Sequence, residues 1–392
     1  MKRPGGSHLE YHLLVLVTLG LVAFGLVMVY SASSARALLS ADAPSYYLKR
    51  QAIYAVMGLV ALVILSRFDF HRLRHATQPL LAVTFVLLVA VLAIGTAVNG
   101  ARRWIPIGFM NFQPSELAKL VLALWTAALL ARRPAPRTLG ELAKPIGVVV
   151  GLACALILIE PDLGTAIAIA IMVSAILVVS GTRLRLLASA AGIATSVVLI
   201  AIWLEPYRRE RIFSFLDPWH DPQGAGFQAV QSMIALGSGG FFGVGLGESV
   251  QKIYYLPEAS TDMIFAIVGE ELGLIGAMGV IAAFAVFAYA GFNIALHCRD
   301  PFGKRLAAGI TALICGQAAV NVSAVMGIAP LTGIPLPFVS YGGSSLVVGL
   351  AAVGILLNIA SNHAVVRETE VPDRGRRNRR TRASGTRRRR VA

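Results

Sequence analysis

The run Tyr255-Leu256-Pro257-Glu258-Ala259-Ser260-Thr261-Asp262 leads directly into the apolar stretch that begins Met263-Ile264-Phe265-Ala266. It places a carboxylate where a polar segment enters a hydrophobic helix. An ionisable group at such a boundary is costly, which makes it a functional candidate by default. Arg208, Arg209 and Arg211 lie upstream, and Glu270 and Glu271 follow within the helix. Acids and guanidinium groups at one membrane surface suit chemistry on an anionic substrate. The arginines could serve as ligands for a diphosphate, or could only touch lipid phosphates. A plainer role competes, because Ser-Thr-Asp before a helix is what N-capping favours. At 100° per residue, Glu270 and Glu271 lie about 80° and about 180° around the helix from Asp262. They cannot both share its face, so one is expected to pair inside the bundle.

Other ionisable residues gather near the same surface. Arg102 and Arg103 precede Trp104, and Glu116 and Lys119 follow at the head of the next apolar run. Three residues apart, Glu116 and Lys119 share a helix face. They read equally as an ion pair neutralising two buried charges and as part of a substrate cavity wall. Glu160-Pro161-Asp162 forms a tight corner, and Asp162 there reads first as a helix cap. The segment 329–345, which contains Ser340, carries prolines at 330, 335 and 337 and cannot be a regular helix. It is too apolar for a free loop. It is expected to fold against the bundle as a rim or re-entrant element, because irregular backbone at membrane depth must be buried in protein or line a wet cavity.

The elements that must hold these groups are membrane helices. The 392 residues are 56% hydrophobic and 14% charged, against about 25% charged in soluble domains. Ten spans are expected, at 12–31, 52–66, 79–98, 115–131, 145–160, 163–181, 186–203, 263–297, 306–328 and 344–361, giving an all-α integral membrane protein. The first apolar run exceeds the ~7–15 residues of a signal h-region and reads as an uncleaved span. With the N-terminus (1–11) in the cytoplasm, inner segments hold 25 of the 35 Lys and Arg, as the positive-inside rule asks. Both termini are then cytoplasmic around a membrane domain at 12–362.

The long outer loop, 204–261, is the one connection of its size, and loops of that length are usually functional. Within it, Phe227, Val230 and Ile234 recur at helical spacing and predict a short amphipathic helix lying in the interface. Gly243-x-Gly245-x-Gly247 invites a nucleotide-loop reading, but it lacks the strand and βαβ unit such a loop needs. These glycines instead predict close backbone approach between loop and bundle.

The tail, 363–392, carries eleven arginines and no apolar periodicity. It reads as disordered, drawn to anionic lipid or to a cytoplasmic partner. With no aromatic residues interleaved, it is not read as a nucleic-acid binder. Cys154, Cys298 and Cys315 have no metal spacing, and no resident metal site is expected.

Taken in order, NGARRWI, FQPSELAKL, EPDLGTA, RRERIFSFLDPW, GSGGFFGVGLGES, YLPEASTDMIFAIVGEELG and GIPLPFVSYGGSS resemble the SEDS family (shape, elongation, division and sporulation proteins) from about residue 15 to 362. The long loop is more similar to that of division members than of elongation members, although Ser260 stands where division members often have His. The resemblance implies a peptidoglycan glycosyltransferase that polymerises lipid II outside the cytoplasmic membrane, at the division septum. It implies a class B penicillin-binding protein of the FtsI type as partner, with other divisome membrane proteins.

The family's essential aspartate matches Asp262, and its Arg-Trp, Glu and Lys positions match Arg103, Trp104, Glu116 and Lys119. Arg102, Arg208, Arg209, Arg211, Glu258, Thr261 and Ser340 complete the expected substrate-binding set. An inverting displacement would use Asp262 as base, with arginines, and room for a divalent cation such as Mg or Mn, on the departing diphosphate. A lipid II flippase, an elongation-type polymerase and a non-catalytic scaffold are the rivals.

Overall fold

The computed structural model describes residues 6–39, 43–98, 101–108, 110–204, 209, 213–253 and 255–369. Among them, ten apolar helices follow the expected order. They are α1 (Gly6–Leu39), α2 (Tyr46–Arg67), α3 (Phe70–Ile94), α4 (Pro114–Arg132), α5 (Leu139–Ile159), α6 (Leu163–Val179), α7 (Leu184–Leu204), α9 (Ile264–His297), α10 (Pro301–Val325) and α11 (Gly343–Thr369). A shorter helix, α8 (Phe227–Gly239), lies in the long loop. Eight of the ten are long and apolar enough to cross a membrane, and α6 and the apolar part of α7 are shorter. The chain is therefore a multi-pass membrane protein. The basic tail from 370 onward, and the first five residues, lie outside the described residues.

In a bilayer each span must satisfy its own backbone groups, so the apolar runs become helices regardless of local propensity. Packing then depends on small residues rather than on hydrophobic contrast. A Cβ on Gly354 would lie 2.5 Å from the Leu62 carbonyl, and one on Gly58 would lie 2.5 Å from Leu350. That closeness lets α2 lie along α11. α4 is the most enclosed span, with 83% of its apolar window buried against 22% for α2, α3 and α5. It packs against α3, α6 and α10, which makes it the wall on which Glu116 and Lys119 stand.

The third span stops short of its expected end. Helix α3 ends at Ile94, and residues 96–112 form a small antiparallel ladder: β1 (Thr96–Val98), β2 (Ala101–Ile107) and β3 (Met110–Phe112), in that order across the sheet. Helix α10 spans 301–325, earlier than the 306–328 expected. Helix α8 also differs from expectation. Its buried stripe is Val230, Ser232, Ala235 and Gly239, with Ile234 exposed, and it packs on α9 rather than only lying in the interface.

The glycine loop does what its composition predicts. Helix α9 breaks at Gly273, where φ is 65°, and the freed backbone is stitched to the loop. Val244 N donates to Glu270 O (2.9 Å) and Gly245 N to Glu271 O (3.1 Å), while Leu274 N donates to Gly240 O (2.9 Å). The two chains touch so closely that a Cβ on Gly273 would sit 2.4 Å from Gly243 N. Gly273→Ala is expected to lower stability by more than the ~1–2 kcal/mol of left-handed strain alone. Gly279→Ala, where an added Cβ meets nothing within 4 Å, is expected to be near neutral; thermal melts of the purified proteins in detergent compare the two.

Candidate active site

Helix α9 begins at Ile264, its N-cap position is Met263, and no side chain caps it. Asp262 is therefore not the cap that local sequence favours. It sits in a turn ahead of the helix, half-buried, neither sealed in the bundle nor fully exposed. The turn is held from three sides. Thr261 N and Met263 N both donate to Glu258 O, at 3.1 and 3.3 Å. Tyr341 N donates to Ser260 O (2.8 Å), which ties the turn to the segment between α10 and α11. Asn321 of α10 uses one amide nitrogen on two carbonyls, those of Asp262 and Ile334, each at 2.7 Å.

Two carboxylates meet in this turn. Thr261 Oγ1 lies 2.9 Å from Glu258 Oε2 and 3.3 Å from Asp262 Oδ1, so its one proton can be donated to either acid but not to both at once. Glu258 adopts φ 56°, a left-handed conformation that costs a non-glycine residue roughly 1–3 kcal/mol and persists only where surroundings enforce it. Such strain in a turn bearing two acids is the pattern expected of a functional site.

The segment 329–345 is the buried irregular element that its prolines predict. Ile334, Leu336, Phe338, Val339 and Ser340 are all buried. Ser340 is engaged within the segment, its Oγ accepting from Leu336 N (2.8 Å) and its carbonyl accepting from Gln51 Nε2 (3.1 Å). It holds the rim in shape from beneath. Gly333 lies beside Asp262, with an added Cβ 3.9 Å from Oδ2, so this rim forms one wall of the acid's surroundings.

The α5–α6 corner forms the neighbouring wall. Asp162 caps α6 as expected, accepting from Thr165 N (3.0 Å) and Thr165 Oγ1 (2.8 Å). Gly164 fits against Ile334 and the Thr332 carbonyl, which brings the corner onto the rim. Arg103 of β2 donates through Nε to Glu160 O (2.8 Å) and through its terminal nitrogen to Pro161 O. Strand alternation leaves Arg102 exposed on the other face. Trp104 is half-buried, its carbonyl accepting from Thr96 Oγ1 (3.2 Å). Of the arginines grouped as a diphosphate cluster, Arg209 lies over the Trp203 ring at 5.8 Å. Arg208 and Arg211 lie outside the described residues.

Glu116 and Lys119 form the buried pair that their spacing allows, at 2.8 Å. Lys119 also donates to Gln317 Oε1 (3.0 Å), and Gln317 Nε2 donates to Pro335 O (3.2 Å). This chain of contacts runs from α4 through α10 to the rim. Both charges border a cavity of about 30 Å³ with Phe338 and Ser345, large enough for a water or two.

Sequence reasoning missed five side-chain partners. Asn321 and Gln317 are polar residues inside an apolar helix, and that is itself a signal of an inward-facing role. Lys252 pairs with Glu271 (2.9 Å), where Ser31 also donates (2.6 Å). Ser249 Oγ and Val250 N donate to Glu270. Both glutamates of α9 are thus engaged, rather than one.

The comparisons follow this geometry. A family profile described as cell cycle protein, FtsW/RodA/SpoVE, matches residues 11–364. The chain belongs to the FtsW/RodA/SpoVE family. It is 43% identical over 356 residues to a probable peptidoglycan glycosyltransferase FtsW of Trichlorobacter lovleyi, covering 90% of this chain and 93% of that relative. It is 41% identical over 352 residues to stage V sporulation protein E of Bacillus subtilis, covering 89% and 96%. Among solved structures it matches a chain from work on the coordination of polymerization and crosslinking by a peptidoglycan synthase complex (TM-score 0.75, 33% identity, 89% and 97% covered). It also matches RodA of Thermus thermophilus (TM-score 0.66, 29% identity, 89% and 96% covered). The SEDS resemblance and the membrane fold inferred from sequence both agree with these findings.

Two measurements test the site's electrostatics. Removing one member of a buried pair typically costs about 3–5 kcal/mol, so Lys119→Met is expected to destabilise strongly. Glu116→Gln combined with Lys119→Met should recover much of that loss in denaturation measurements. The Glu160 carboxyl, just past the end of α5, is buried with no hydrogen-bond partner. Burial, and then the nearby Asp162, push its pKa up to about 8, while Arg103 pulls the other way. The folded state therefore binds a proton that the unfolded state has released above about pH 4.5. Stability should fall as pH rises from about 4.5 to about 8. Glu160→Gln should flatten that slope in melts taken across this range.

Proposed function

We propose that this chain is a peptidoglycan glycosyltransferase that polymerises lipid II on the outer face of the cytoplasmic membrane, during septal wall synthesis. The observation that carries this reading is Asp262 itself. It is a half-buried acid, held ahead of its helix by tertiary contacts, in a turn with a second acid. The names of the relatives support the same activity. Both termini are placed in the cytoplasm, on the charge asymmetry of the loops.

The chemistry is a single inverting displacement. The acceptor's 4-hydroxyl oxygen bonds to the donor's anomeric carbon as the bond from that carbon to the diphosphate oxygen breaks. Asp262 takes the hydroxyl proton, and the electron pair leaves with the prenyl diphosphate. Arg102, which is exposed, is the arginine proposed to meet that leaving group. Arg103 acts indirectly, by fixing the 160–161 corner. Glu116 and Lys119 support the wall from within.

Among the described residues, no group of three or more His, Cys, Asp or Glu side chains converges. Mg²⁺, however, commonly binds through one or two carboxylates plus substrate phosphates, and Glu258 with Asp262 offers such a pair. A cation there would supply positive charge to the diphosphate. A class B penicillin-binding protein of the FtsI type is the proposed partner, alongside other divisome membrane proteins.

Incubation of the purified protein with lipid II, with and without that partner, tests the reading. Asp262→Asn should keep the wild-type melting temperature and lose at least a hundredfold in polymerisation, within the range that general bases contribute. Polymer formation by a well-folded Asp262→Asn protein would eliminate the assignment.

A further inference from the structure

At the opposite end of the bundle from Asp262, the start of α3 and the end of α4 flank an open cavity of about 200 Å³. Arg74, His75 and Gln78 line it from α3, and Trp125, Leu129 and Arg132 line it from α4. The α4 residues fall at i, i+4 and i+7, on one helix face. Trp125 therefore lies about 10 Å along the axis from Arg132, at 1.5 Å per residue. The cavity is basic and polar at its mouth and aromatic and apolar below. No carboxylate lines it. Among the described residues, Arg74 and Arg132 make no side-chain hydrogen bond or ion pair, and the Arg74 Nε is buried with no partner. The buried lysines of the bundle are neutralised, Lys119 by Glu116 and Lys252 by Glu271. Arg74 is half-buried and Arg132 is exposed at the mouth, so two guanidinium groups face one cleft without an acid, and the one buried atom among them, Arg74 Nε, is shut off from water without a partner, which is costly.

We propose that this cavity binds the phosphate headgroup of an anionic phospholipid from the cytoplasmic leaflet. Two guanidinium forks match phosphate oxygens geometrically. Basic pockets between membrane helices on the cytoplasmic side are known headgroup sites. The volume is below the ~300–1,000 Å³ of drug-sized ligand sites, which fits a headgroup whose acyl chains lie outside, along the exposed Val83 and Val86 of α3. A bound lipid there would brace α3 against α4, the helix that carries Glu116 and Lys119. The proposal rests on the orientation adopted above, but not on the glycosyltransferase activity.

Native mass spectrometry of the full chain, in mild detergent and without lipid II, tests it. Phosphatidylglycerol, phosphatidylcholine and inorganic phosphate are titrated separately. Wild type should retain one phosphatidylglycerol at least tenfold more tightly than phosphatidylcholine. Arg74→Gln with Arg132→Gln should lose that preference. Arg133→Gln, at an exposed neighbouring arginine outside the cavity, should keep it. Equal loss in Arg133→Gln would show non-specific charge attraction and overturn the site. So would an unchanged preference in the double variant. Inorganic phosphate competing as well as the lipid would overturn the lipid assignment. Because the readout is binding alone, failure here leaves the polymerisation test untouched, and the reverse also holds.

Discussion

The Asn321 amide nitrogen carries much of the logic of this structure. It stands in the apolar helix α10 and donates to the carbonyls of Asp262 and Ile334, each at 2.7 Å. Both carbonyls belong to backbone that is not helical, and a buried carbonyl left without a donor is costly. One buried side chain thus lets two irregular segments exist and fixes them to each other. The position of Asp262, ahead of α9 and beside the 329–345 rim, depends on that link together with the Tyr341–Ser260 bond.

Around this link the bundle is rigidified by contacts that neither element could make alone. The break at Gly273 would leave α9 with unpaired backbone, and the glycine loop fills that need strand-fashion. Lys252 then closes the loop onto Glu271 and Ser31. On the other side, Glu116, Lys119 and Gln317 carry a chain of polar contacts from α4 to Pro335 of the rim. The turn that carries Asp262 thus lies in a bundle braced by two buried ionic clusters, Glu116–Lys119 between helix residues and Lys252–Glu271 between loop and helix. The catalytic role proposed for Asp262 would need such a fixed mount, because misplacement by about 1 Å can cost a hundredfold in rate.

The helices were legible because long apolar runs have one solution in lipid. The Glu116–Lys119 pair and the Asp162 cap were legible because both are local and follow from spacing. The rim was legible from its prolines. The ladder at 96–112 was not, because the run 79–98 is apolar throughout and the helix-to-strand switch leaves no hydropathy signal. Asn99-Gly100, a strong hairpin signal, was the clue available. Asp262 read locally as a cap, whereas contacts from Asn321 and Tyr341, far away in sequence, help to hold its turn ahead of the helix. Lys252 and Glu271 are likewise joined by tertiary structure alone, as is Ser31, in the first helix.

The proposed function requires that Asp262 face water on the outer side of the membrane. Cysteine accessibility measures this most directly. Asp262→Cys, in a chain with Cys154, Cys298 and Cys315 changed to Ala, would be exposed on intact spheroplasts to a membrane-impermeant maleimide. Thr126→Cys, at a fully buried position of α4, serves as the unreactive reference. Labelling at position 262 without permeabilisation, well above that reference, is the predicted result. Labelling only after the membrane is opened, or none under either condition, would contradict it.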